Sequence, residues 1–304
     1  MLGVHATQLA VTTVLLIVTW ALFFVFILPA YGQWVHVGVG VALALGSFVS
    51  LVYAALLDPG IIPRRAPSQL MDNVNAEQRD RMNYCATCHI VRPPRTKHCR
   101  HCNNCVAVFD HHCPWTGNCV GARNYRAFFT FVIFIAVGAG YIFSLSVIHA
   151  VTRVGGQGPE VWTDSGSLAG SRFVSPVLSA WTGLVVLLVG ALLAFHVFLL
   201  CRGQTTNEYL RGQNRGGPGE PPSFGPNCHE LWCGEVPESL LPPMSDYPTE
   251  EDLRKDVSYA VEAYLEMQEA SGWQSSGAYR LASPGPAAMD PAAPPGPIAA
   301  AQGP

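Results

Sequence analysis

The first 57 residues, Met1 through Leu57, contain no Asp, Glu, Lys or Arg. Two apolar stretches, 9–30 and 37–57, fill most of that length, and two more, 127–148 and 175–200, follow without a formally charged residue. Each reaches the roughly 20 residues that a helix needs to cross a bilayer. In hydrocarbon every backbone amide must be bonded within the chain, and a helix does this within one segment. The sequence therefore predicts an all-α polytopic membrane protein with four transmembrane helices. The first stretch lacks the basic flank of a signal peptide and exceeds the usual length of its apolar region, so it is expected to be retained. Met1-Leu2-Gly3 does not fit the N-myristoylation pattern.

Composition excludes other classes. Charged residues make up 13% of the chain, against about 25% in soluble domains. Apolar residues reach 49%, too many for a disordered chain. The net charge of −3 offers no global basic footprint for nucleic acid.

Lys and Arg set the expected orientation. Segment 58–126 holds 10 of them, the turn 31–36 none, and the loop 151–174 only Arg153 and Arg172. Segment 58–126 and both termini are expected in the cytosol, with 31–36 and 151–174 on the lumenal or exterior side. The domains read as helices 1–2 over 1–57, a Cys-rich domain over 58–126 and helices 3–4 over 127–201. A cytosolic tail covers 202–280, and a disordered Pro/Ala/Gly segment covers 281–304.

Seven of the ten cysteines lie between Cys85 and Cys119. In the cytosol such density points to metal or catalysis rather than disulfides. A repeat sorts them. Cys85, Cys88, His98 and Cys105, each shifted by 14 positions, become Cys99, Cys102, His112 and Cys119. Both sets read C-x2-C-x9-H-x6-C. Three thiolates and one imidazole are a usual ligand set for structural zinc, closed to water. His89, His101 and His111 lie close enough to compete as ligands. Cys113 falls 14 residues after Cys99, as though opening a third unit, but the partner position holds Thr116.

Cys113 is thus left without a ligand set, directly after Asp110-His111-His112. A thiolate is the nucleophilic form of cysteine, and a neighbouring imidazole generates it. A carboxylate on the far ring nitrogen fixes the tautomer, as in Cys-His-Asn and Ser-His-Asp triads. Cys113, His111 and Asp110 fit those roles. Cys113 also lies near the start of the third span, which suits a substrate with one greasy and one polar end.

The Asp110-His111-His112-Cys113 tetrad in this window resembles the DHHC family of protein S-acyltransferases, the palmitoyltransferases. Asp58-Pro59-Gly60 is similar to the family's DPG motif, and Thr205-Thr206-Asn207-Glu208 to its TTxE motif. The segment from Ser223-Phe224-Gly225-Pro226-Asn227 through Cys233-Gly234 is a looser match to the tail motif built around an Asn. The resemblance implies a two-step transfer. Cys113 takes a fatty acyl group from acyl-CoA and passes it to a cysteine of a membrane-associated protein. It also implies two structural zinc ions in the two sets above, an acyl-holding cavity between the helices, Thr206 on Asp110, and Asn227 anchoring the tail. An endomembrane (Golgi or ER) or plasma-membrane location is expected, and an accessory subunit is compatible with this layout.

A long acyl chain gains about 0.8 kcal/mol per buried CH₂, so an apolar bundle is a natural holder for it. Polyanionic CoA would remain at the cytosolic face, within reach of Arg92, Arg95, Lys97, Arg123 and Arg126. Segment 203–226 reads as a linker. Thr249 could cap a helix over 250–270, with Leu253, Val257, Val261 and Leu265 on one stripe. Two other functions were weighed. A zinc adaptor of ubiquitin-ligase type conflicts with the 14-residue repeat and leaves Cys113 unexplained. An ion-coupled transporter conflicts with spans free of formal charge.

Overall fold

The fold follows from where backbone hydrogen bonds can be made: by helices in the apolar stretches, and by short hairpins in the Cys-rich window. A computed structural model describes residues 6–65, 83–154, 167–212 and 224–241. Helix α1 (Ala6–Leu22) continues through a π turn at Phe23–Ile27 and a 3₁₀ turn at Leu28–Tyr31. Pro29, without an amide proton, marks the change of winding. Helix α2 (Trp34–Leu56) follows at once, and α3 (Tyr125–Val154) and α4 (Ser167–Arg202) complete the bundle.

Four segments are long and apolar enough to cross a membrane: Ala6–Tyr31, Trp34–Leu56, Tyr125–Thr152 and Phe173–Arg202. Each overlaps one expected span. Helix α3 is the hub, packing on both α2 and α4. The α2–α3 contact is close, since a Cβ at Gly46 would lie 2.1 Å from the Phe134 ring. Trp20, Phe23, Ile27 and Leu28 of the first segment bury against Ala44, Ile142, Leu145 and Leu178. Outward positions such as Val25, Leu45 and Leu187 stay exposed, the reverse of a water-soluble bundle and what a lipid solvent requires.

The Cys-rich domain lies between α2 and α3. It contains β strands, so the fold is mostly rather than wholly helical. Three antiparallel hairpins follow one another: β2 (Tyr84–Cys85) with β3 (Ile90–Val91), β4 (Lys97–Cys99) with β5 (Asn104–Val106), and β6 (His111–Cys113) with β7 (Asn118–Val120). Strand β1 (Ile61–Ile62) adds to the edge of β5. The sequence repeat is a hairpin repeat, with His98 opposite Cys105 and His112 opposite Cys119. Each knuckle turns at the fourth residue after its first cysteine. His89 (φ 54°), Asn103 (φ 54°) and Gly117 (φ 65°) are all left-handed there, a conformation that a tight turn demands and L residues adopt sparingly.

Two asparagines fix this domain to the bundle. Asn118 Nδ2 donates to the carbonyls of Ala54 (3.2 Å), Ala55 (3.1 Å) and Leu57 (3.0 Å). Asn124 Nδ2 donates to Ala54 (3.3 Å) and Cys119 (2.8 Å). The last carbonyls of a helix have no partner within it, and here the next domain supplies one.

Within the segment expected as a linker around the TTxE element, residues 213–223 lie outside the described residues, and the TTxE element itself is ordered. Thr206–Leu210 forms a short helix, α5, closed by a reciprocal capping box between Thr205 and Glu208. Beyond it, α6 (Phe224–Cys233) lies along α4, and Asn227 Nδ2 donates to the carbonyls of Leu200 (2.7 Å) and Cys201 (3.3 Å). Residues 234–241 then strap back over the hairpins. Leu240 packs on the cluster around Cys85, Cys88 and Cys105, and Leu241 on that around Cys99 and Cys119. The expected 250–270 helix and the 281–304 segment lie outside the described residues.

Candidate active site and metal centres

The hairpin repeat produces two tetrads. Cys85 and Cys88 of the first knuckle meet His98 and Cys105 of the second hairpin; Cys99 and Cys102 meet His112 and Cys119 of the third. Within each set the ligand atoms lie within 4.8 Å of one another. His98 Nδ1 is 3.6, 3.4 and 3.9 Å from the sulfurs of Cys85, Cys88 and Cys105. His112 Nδ1 is 3.4 and 3.7 Å from those of Cys102 and Cys119, which are 3.4 Å apart. A tetrahedral ion with zinc–sulfur bonds near 2.3 Å sets its ligands roughly 3.5–3.8 Å apart, so both tetrads fit such an ion. The competing histidines are placed elsewhere. His89 pairs with the Tyr84 hydroxyl (3.3 Å), His101 stacks on His112, and His111 turns to Asp110.

Cys113 occupies the place in the third knuckle that Cys85 and Cys99 hold in the first two. No fourth hairpin follows to complete a site, and Thr116, at the second cysteine position, donates its hydroxyl to the Cys113 carbonyl (3.3 Å). The repeat thus ends on a cysteine held in metal-ligand geometry without a metal set. Cys113 is 5% exposed and packs with Ala54, Val120, Phe128 and Val132 at the junction of the hairpins and the bundle.

Asp110, His111 and Cys113 form one chain of contacts. Asp110 Oδ2 accepts from His111 Nδ1 at 2.6 Å, and the imidazole and the Cys113 thiol lie near enough to shift each other's ionisation. Burial alone would lower the imidazole's pKa, but Asp110 and Cys113 outweigh it and raise it to about 9. Burial likewise opposes ionisation of Cys113 and Asp110, yet the bonds each receives, His111's foremost, leave both pKa values below their ordinary range. All three shifts run in the direction that favours carboxylate, imidazolium and thiolate.

The TTxE segment locks the carboxylate. Asp110, 2% exposed, accepts from the Thr206 amide (2.8 Å) and hydroxyl (2.7 Å), and its own carbonyl accepts from the Asn207 amide (3.1 Å). Glu208 holds α5 in place. Its carboxylate takes both Arg95 Nε (2.8 Å) and an Arg95 terminal nitrogen (2.9 Å), and accepts from the Thr205 amide (3.0 Å). Arg95 was expected to face CoA. It is instead buried in this bidentate pair, because a guanidinium fork matches a carboxylate better than any single point charge.

The other basic residues divide. Arg123 Nε lies 3.2 Å from Asp58, and Arg123 and Arg126 donate to the strap carbonyls of Pro237 and Gly234. Asp58 also accepts from the amides of Gly60 and Ile61 and from Ser239, so the DPG turn fastens the strap. Lys97 is different. Partial burial, then the charges of Arg211 and Arg92, lower its pKa, which marks a cluster of three cations. Arg211 was not singled out from sequence. Its signal, a cation at the C-cap of a five-residue helix, is readable only once that helix is known.

An apolar cavity of about 480 Å³ opens beside Cys113. Trp115 and Phe128 stand at its mouth, and it runs between α1, α3 and α4 to Trp20, Ile142 and Thr182. From Phe128 to Ile142 helix α3 rises about 21 Å. Gly138 lines this space, with Trp20 only 3.1 Å from where its Cβ would be. Nothing lies near the corresponding position of Gly140.

A model of the DHHC palmitoyltransferase family matches residues 78–213. Palmitoyltransferase ZDHHC18-B of Danio rerio is 32% identical over 283 residues, covering 81% of this chain and 71% of that protein. Palmitoyltransferase ZDHHC18 of Homo sapiens is 33% identical over 273 residues, 79% of this chain and 69% of the relative. Palmitoyltransferase ZDHHC8 of Homo sapiens is 34% identical over 251 residues, 78% of this chain and 30% of the relative. Hairpin tetrads, a buried Asp-His-Cys chain and an apolar cavity thus coincide with those matches: the chain belongs to the DHHC palmitoyltransferase family and is an integral membrane protein S-acyltransferase.

Proposed function

We propose that Cys113 carries the acyl group between a long-chain acyl-CoA and cysteines of membrane-associated proteins, with the site on the cytosolic face. The observation that carries this reading is the position of Cys113, beside the Asp110–His111 pair on one side and lining the 480 Å³ apolar cavity on the other. The Cys113 thiolate attacks the thioester carbonyl, the bond to the CoA sulfur breaks, and His111 gives its proton to that sulfur. An incoming cysteine thiol then gives its proton to His111 and attacks the acyl-Cys113 carbonyl. Cys113 leaves as thiolate, restoring the starting pair. Asp110 holds the His111 tautomer through both steps.

Two zinc ions fit the tetrads. Cys85, Cys88, His98 and Cys105 would hold one, and Cys99, Cys102, His112 and Cys119 the other, each supplying only a brace. Lys97 and Arg92, joined by Arg211, would meet CoA phosphates, a reading supported by their mutual influence on the Lys97 ammonium; Arg123 and Arg126 bond the strap. The Lys/Arg distribution supports cytosolic termini.

Purified protein incubated with labelled palmitoyl-CoA should acquire a hydroxylamine-labile label. Cys113→Ser should take none while keeping about two zinc ions per chain. Equal labelling of that variant would sink the acyl-enzyme reading.

A further inference from the structure

A second histidine lies beside the catalytic one. His196 projects from α4 six residues before its end at Arg202, inside a segment long enough to span the membrane, and is 1% exposed. An ionisable side chain is costly there unless it faces the bundle interior and finds a partner. The partner is Tyr125, at the start of α3, whose hydroxyl lies 3.1 Å from His196 Nδ1. The His196 ring centroid is 6.0 Å from that of His111.

Phe128 closes a triangle with the two histidines and packs on both. It meets His111 edge to face at 5.0 Å and 73°, and His196 in the same manner at 5.1 Å and 67°. Asp110 holds His111 at one point, Nδ1. A single hydrogen bond leaves an aromatic ring free to rock, since the terminal torsion of histidine is broad. A ring packed on its face removes that freedom, provided that ring is itself fixed. Phe128 cannot bond anything; His196 can, and its bond to Tyr125, together with the Tyr125 and Phe195 rings packed on it at 5.9 and 5.8 Å, fixes its own plane.

We infer that His196 and Tyr125 are a positioning pair for the transfer reaction, acting through Phe128 to hold the His111 ring in the orientation that reaches Cys113. The pair makes no covalent step and touches neither acyl donor nor acceptor. The inference rests on the assignment of Cys113, His111 and Asp110 given above.

The test uses the full chain with labelled palmitoyl-CoA, measuring kcat and KM for Cys113 acylation, melting temperature and metal content. Tyr125→Phe and His196→Phe each remove the bond while keeping a ring. Each is expected to lower kcat about 10- to 100-fold, the scale of small misplacements at a reacting centre. KM for palmitoyl-CoA and metal content should match wild type. The Tyr125→Phe/His196→Phe double variant should lose no more than either single one, because both break the same bond. His196→Gln, which retains an acceptor for the tyrosine hydroxyl, should recover most of the rate. Full-rate acylation by both single variants overturns the inference, as does a loss confined to KM. A loss that His196→Gln does not relieve and that tracks lowered melting temperature or metal content also overturns it, since that is structural damage. If Cys113→Ser labels like wild type, the acyl-enzyme reading itself fails; if Cys113→Ser is silent while the pair's variants are fully active, only the pairing fails.

Discussion

Replacing Glu208 with Ala tests how the site is held. The Glu208 carboxylate and the Arg95 guanidinium are almost wholly buried, with side-chain exposures of 5% and 3%. Their contacts are bidentate at 2.8 and 2.9 Å. Removing one partner of such a pair leaves an uncompensated buried charge and costs about 3–5 kcal/mol. Glu208 also completes the capping box of α5, and a lost cap costs about 1 kcal/mol. The total, near 5 kcal/mol, corresponds to a fall in apparent melting temperature of roughly 10 °C or more. The damage should spread to catalysis, because Thr206 on α5 gives Asp110 two hydrogen bonds. Acylation of Cys113 should therefore slow even at temperatures where Glu208→Ala remains folded. The control is the Arg95→Leu/Glu208→Leu double variant. It removes both charges and should regain much of the lost stability, since an apolar pair can replace a buried ion pair at little cost. A Glu208→Ala protein that melts like wild type would refute this account, as would a double variant no more stable than the single one.

Three further outcomes are expected. Thr206→Val removes the hydroxyl bond to Asp110 but not the amide bond; at about 1.5–2 kcal/mol the acylation rate should drop about 10-fold with the fold intact, as single-turnover labelling will reveal. Trp20→Ala opens the deep end of the cavity, so competition between acyl-CoAs should shift toward longer chains, by up to about fourfold per added methylene; an unchanged length preference contradicts the cavity's role. Asn118→Ala takes the asparagine donor from the carbonyls of Ala55 and Leu57 and leaves Ala54 with Asn124 alone; it should cost about 2 kcal/mol, read as a lower melting temperature at constant metal content.

The spans and the tetrads were legible because each is written in local chemistry. Membrane helices announce themselves by length and absence of charge, and the ligands by a 14-residue repeat that the hairpins reproduce. Cys113 was legible for the same reason, as the cysteine that the repeat leaves over. The TTxE segment was visible as a motif, yet Gly and Pro around it suggested a linker. Its order comes from Glu208 meeting Arg95, residues 113 positions apart, and no local pattern encodes that meeting.

The sequence by itself determined the elements, the candidate ligand sets and the candidate nucleophile, since these depend on residue type and on spacing along one segment. Tertiary structure alone decided which polar groups face one another. It turned Arg95 from a surface cation into the brace of α5, gave Asn118 and Asn124 the task of capping α2, and set His196 beside His111. It also set an apolar cavity beside Cys113. Each of these outcomes depends on burial, which raises the cost of an unpaired polar group until only one arrangement of distant partners satisfies it.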